Sequence, residues 1–141
     1  MPIIEQHHGT TVVEYFYNKA IRQGDGQGED SSPTSEVEFR YPGPKPRSKE
    51  AAIVMLCDVV ESACRSLAEP TASRLEAKVR ELAKLRLEDG QLDQCDLTMR
   101  ELDQVEYAIT KALLGIYHGR IVYPSAEPAA PAGGEAATKS A

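Results

Sequence analysis

The sequence predicts an all-α fold, and three observations carry the prediction. Apolar residues recur at helical spacing through most of the chain. Hydroxyl-bearing residues stand where those runs begin, and stretches rich in Pro and Gly separate them. Together they predict about four principal helices of unequal length, joined by irregular loops.

Val12, Val13, Tyr15, Phe16, Tyr17, Ala20 and Ile21 make the first helix, expected to be strongly buried and opened by Thr10 or Thr11. Gly, Asp, Ser and Pro then dominate residues 23–37, which predicts a flexible loop. Pro42, Pro44 and Pro46, with Gly43 among them, forbid a helix over residues 39–47 and favour a rigid, extended connector. Ser48 caps a second helix over residues 49–67, with Glu50 near its positive end and Arg65 near its negative end, and Glu69-Pro70 stops it. Thr71 opens a third, turning Leu75, Val79, Leu82 and Ala83 inward while Arg74, Lys78, Glu81 and Lys84 stay in water. It ends near Gly90. Thr98 and Glu101 form a capping box for a fourth helix, whose apolar face is Leu102, Val105, Ile109, Leu113, Ile116 and Tyr117. Residues 121–123 make a short extended end. Beyond Pro124, residues 125–141 hold no large apolar side chain and cannot offset their ordering entropy, so the tail is expected to be disordered.

A chain of 141 residues has room for one domain, expected over residues 1–124. The formal net charge of −6 argues against a DNA or RNA polymer as partner, because neutralising a phosphate backbone takes surplus Lys and Arg. Cys57, Cys64 and Cys95 have no metal-like spacing and fit reduced thiols of a cytoplasmic protein. No apolar run reaches the roughly 20 residues of a membrane span, and the N-terminus lacks the features of a signal peptide.

Chemistry concentrates near the start. Only three histidines occur in the chain, and two of them, His7 and His8, are adjacent and followed by Gly9. Such a pair suits a metal or phosphate site. Successive helical residues point about 100° apart, so both imidazoles reach one small cluster only if a helix ends there, and Gly9 is a fitting terminator. Asp58 interrupts an apolar run from Ala51 to Val60. A buried carboxylate must be protonated, paired or bound to a cation, and either a metal or an Arg or Lys from another helix would satisfy it. Its company with His7 and His8 tilts the choice towards metal. Glu61 and Arg65 read as an ordinary helical ion pair. Arg40 and Lys49, flanking the proline-rich connector, could contact phosphate or simply be solvated. His118, at a helix end beside Gly119, has a structural role. The stretch Asp89-Gly90-Gln91-Leu92-Asp93 lacks the ligand spacing and closing Glu of a calcium loop.

The blocks IIEQHHGTTVVEYFYNKA, FRYPGPKPRSKEAAIVMLCDVVESACRSL, RLEDGQLDQCDLT and LLGIYHGRIVYP, taken in order, resemble the C-terminal half of a family of HD-domain phosphohydrolases. These are the intracellular HD hydrolases of seven-transmembrane receptors, whose members are cyclic di-AMP phosphodiesterases. The resemblance runs over residues 3–124. It implies a two-metal site in which His7 and His8 serve one divalent metal and Asp58 the other, with iron or manganese, or equally zinc, suited to such ligands. It also implies that the His-Asp dyad, two further histidines and the membrane anchor belong to a missing N-terminal half, upstream of Met1. The expected substrate is a cyclic dinucleotide cleaved to its linear form, with Arg40 and Lys49 as weaker candidates for phosphate contact. A fragment with three of the ligands should be a poor enzyme alone, and its uncovered apolar faces should invite homo-oligomerisation. The competing expectation is a non-catalytic helical module that binds a protein or a nucleotide.

Overall fold

The computed structural model describes residues 2–24 and 35–118. They form five α-helices: α1 (Pro2–Gln6), α2 (Glu14–Gly24), α3 (Lys49–Arg65), α4 (Ala72–Glu88) and α5 (Met99–Tyr117), with a 3-10 turn at Glu36–Phe39. Among the described residues there is no strand beyond an isolated antiparallel bridge between Val12 and Arg40. The loop expected over residues 23–37 lies mostly outside the described residues, as do the extended end at 121–123 and the tail after Pro124. Its two edges are helical instead, because α2 runs to Gly24 and the 3-10 turn starts at Glu36.

The caps of the three long helices form as their residue types require. Ser48 Oγ accepts from Ala51 N at 3.2 Å, and Thr71 Oγ1 accepts from Arg74 N at 3.3 Å. Thr98 and Glu101 make a reciprocal capping box. Glu101 also accepts from Lys49 Nζ at 2.6 Å, tying the start of α3 to the start of α5. These contacts push its carboxyl down to about 2, with the Lys49 bond the largest cause.

Helices α3, α4 and α5 pack side by side around two apolar clusters. Ala52, Leu56, Ala83, Leu92 and Leu102 make one, and Val60, Cys64, Leu75, Val79 and Leu113 the other, with Ile109 against both. Each large aliphatic side chain buried there contributes on the order of 1.5–3 kcal/mol. The short α1 packs on α3 and brings its C-terminal turn to that helix. Asp89 ends α4, and Gly90 follows at φ +67°, the left-handed conformation that turns the chain out of the helix.

The first long helix departs from expectation twice. Neither Thr10 nor Thr11 caps it: Val13 N donates to Phe39 O at 2.7 Å and Tyr41 N donates to Thr11 O at 2.9 Å, so residues 11–13 pair with the connector and helix starts only at Glu14. Nor is it strongly buried. Tyr15 is 71% exposed and Phe16 56%, because among the described residues α2 packs chiefly on the small 3-10 turn.

Candidate metal centre

His7 and His8 follow directly on α1, in the turn that Gly9 closes. Gly9 has φ +55°, and a Cβ there would run into Gln91 Oε1 and come within 2.7 Å of Met55 Cε. Glycine is therefore required twice over, by conformation and by space. The end of α1 frees both imidazoles from helical register, and their ring centroids lie 4.0 Å apart. The Nδ1 of His7 stands 2.8 Å from Ile4 O; since a carbonyl can only accept, that nitrogen is the donor, which leaves Nε2 as the ring atom free of this bond. His8 stacks on Tyr41 at 4.5 Å with 9° between the rings, and its Nδ1 lies 3.8 Å from Asp58 Oδ2.

One donor atom from each of His7, His8 and Asp58 falls within 4.8 Å of the others. Among the described residues no other group of His, Cys, Asp or Glu ligands converges in this way. The resemblance divides these residues between two metals, and the geometry brings all three into one group. Two neutral imidazoles and a carboxylate suit iron, manganese or zinc, and the half-exposed side chains of His8 and Asp58 leave room for water and a further ligand.

The premise of a buried Asp58 is corrected. Its side chain is 53% exposed. The apolar run surrounding it in sequence winds round α3, so that Met55, Leu56 and Val60 face the core while Val54, Cys57 and Asp58 do not. Asp58 meets the histidines because α1 docks on that open side of α3.

Arg40 and Lys49 are not brought to the cluster. Arg40 donates to Asp89 through two bonds of 2.8 and 2.9 Å, to Thr10 O at 2.8 Å and to Glu36, and Lys49 is engaged by Glu101. Glu61 and Arg65 form the helical pair expected of them, at 2.6 and 2.7 Å. His118 occupies the position directly after α5. All three thiols are free.

A cavity of about 370 Å³ opens beside the cluster and reaches Tyr41, Val59 and Leu82. Arg86, in the last turn of α4, lines it too. Its Nε is buried with no hydrogen-bond partner among the described residues, and desolvation holds its pKa below the usual arginine value. Sequence alone did not single it out, since Arg in a last helical turn is ordinary. A second, wholly different cavity of about 600 Å³ runs between α3 and α5, lined by Ile53, Val60, Val105, Ile109 and Ile116.

The chain is thus an all-α unit that presents paired imidazoles and a carboxylate where a short helix meets a long one. No protein-family profile matches the chain. Relatives do. The chain is 48% identical over 124 residues to the cyclic-di-AMP phosphodiesterase PgpH of Bacillus subtilis, covering 88% of this chain and 16% of that protein. It is 42% identical over 126 residues to PgpH of Listeria monocytogenes, covering 87% and 17%. The crystal structure of the L. monocytogenes PgpH HD domain in complex with cyclic-di-AMP superposes with a TM-score of 0.72 at 40% identity, over 82% of this chain and 51% of that one. The chain is thus a homologue of the PgpH cyclic-di-AMP phosphodiesterases and has the fold of part of their HD domain. It spans about half of the solved domain and about a sixth of the full-length relatives.

Proposed function

We propose that the chain contributes one wall of a metal-dependent phosphodiesterase site that opens cyclic di-AMP to the linear dinucleotide. The observation that carries this is the convergence of His7, His8 and Asp58 from two separate elements, in a homologue of an HD domain solved with cyclic-di-AMP. Metal held by these residues would supply a water of lowered pKa and positive charge beside the phosphodiester. His7, whose Nδ1 bonds Ile4 O, would offer its Nε2; His8 is oriented by the Tyr41 ring; Asp58 would bring a carboxylate. Arg86, which lines the same cavity, would donate to a phosphate oxygen. Arg40 and Lys49, occupied by carboxylates, are left out of substrate contact. In the parent family this wall would face the cytoplasm; among the described residues no helix is long and apolar enough to cross a membrane.

The test is hydrolysis of cyclic di-AMP by a domain completed with the remaining half of the L. monocytogenes PgpH HD domain, compared with this chain alone. Three ligands bind metal weakly and supply only part of a two-metal clamp, so the chain alone should turn over poorly while the completed domain is active and chelator-sensitive. His8→Ala and Asp58→Ala in the completed domain should each lower turnover by about 100-fold or more, and Arg86→Met should chiefly raise KM. Full activity of either ligand variant sinks the assignment.

A further inference from the structure

The turn that carries the two histidines is held to the bundle by a polar network with no other evident task. Gln91 is fully buried, an expensive place for a carboxamide unless every bond is made. Its Oε1 accepts from Thr10 N at 2.9 Å, and its Nε2 donates to Thr10 Oγ1 at 3.0 Å and to Asp89 Oδ2 at 2.7 Å. Asp89 is gripped in turn by the guanidinium of Arg40, which also donates to Thr10 O, closing the loop. The Arg40 bonds hold the Asp89 carboxyl below the usual carboxylate range. Gly9 seats directly on Gln91, which leaves the turn one position along the bundle.

We infer that Gln91 is a positioning residue for His7 and His8, with Asp89 and Arg40 holding its carboxamide in place. The inference rests on the reading of His7, His8 and Asp58 as metal ligands. Gln91 bonds Thr10 and Asp89 rather than either ring, so the effect passes through the backbone of Thr10 and Gly9, and it sets the direction from which the imidazoles meet Asp58. The stretch Asp89-Gly90-Gln91, unfit for calcium, thereby acquires a role at a distance of 81 residues in sequence from Thr10.

The experiment uses the 141-residue chain with Co2+ as probe, titrated by visible absorption, and the ring-proton NMR signals of His7 and His8 in the metal-free protein. Gln91→Met keeps the volume and removes the bonds. It should weaken Co2+ binding by about 10-fold or more, as loss of a ligand-orienting partner does, and shift the His8 ring signals as stacking on Tyr41 is lost. Leu113→Ala, in the core cluster away from the turn, is the control for simple loss of stability: it should lower the melting temperature and leave both readouts unchanged. Should Gln91→Met fail to fold, Asp89→Asn, on the accessible side of the network, carries the same test. Unchanged Co2+ affinity together with unchanged ring signals overturns the inference, as does an equal loss in Leu113→Ala. If the wild-type chain binds no Co2+ but the ring signals still move in Gln91→Met, positioning stands and the metal assignment falls.

Discussion

At the scale of single residues, two glycines make opposite predictions. At Gly9 an alanine would meet a left-handed backbone and two side-chain atoms, Gln91 Oε1 and Met55 Cε, that sit in packed surroundings. Gly9→Ala should therefore destabilise by about 2–4 kcal/mol, backbone strain and overpacking together, as read from urea unfolding. Gly115 lies within α5 with nothing inside 4 Å of where its Cβ would be. Gly115→Ala should stabilise by about 0.5–1 kcal/mol in the same measurement, since only helix propensity changes. Gly9 was legible in the sequence as a helix terminator beside His7-His8. What it abuts was not, because Gln91 reaches it only through the fold. Asp58 shows the converse: the sequence grouped it with His7 and His8, which it does approach, but on a premise of burial that it lacks.

At the scale of elements, the starts of α3 and α5 share one carboxylate. Glu101 bonds Thr98 and Lys49 together, and its carboxyl lies at about 2 against an ordinary 4.5. A depressed folded value means that the stabilisation is fully present above the unfolded value and is lost as the pH falls through the folded one. The melting temperature of the wild-type chain should thus exceed that of Glu101→Gln at pH 6 and 7, with the gap closing between pH 4.5 and about 2. A gap independent of pH would show that the ion pair and the charged cap contribute nothing. The caps at Ser48, Thr71 and Thr98 were readable because a cap needs only a few neighbouring residues. Thr11 was misread because its backbone is taken by Tyr41, a partner 30 residues away that local pattern does not reveal. The apolar face of α2 likewise announces which side seeks cover without saying what, among the described residues, supplies it.

At the scale of the whole molecule, the candidate site joins two parts of the chain that the core does not. The three-helix packing of α3, α4 and α5 owes nothing to His7 or His8, whereas the turn carrying them is held by α1, by the Gln91 network and by Tyr41, which bonds Thr11 and stacks on His8. A cation reaching all three ligands would therefore clip that turn to the middle of α3 in the folded chain, and could not do so in the unfolded one. Binding restricted to the folded state stabilises by RT ln(1 + [L]/Kd), about 2.7 kcal/mol at 100 times Kd. Co2+ or Mn2+ should raise the melting temperature in a concentration-dependent way, and a chelator should reverse the rise. In Asp58→Asn the metal-induced rise should vanish while the metal-free melting temperature stays close to that of wild type, because the carboxylate is half-exposed and packs into neither core cluster. Calorimetry of the two proteins with and without metal decides it: an undiminished rise in Asp58→Asn would place the bound ion elsewhere, and no rise in either would leave the three side chains as a surface His-Asp contact.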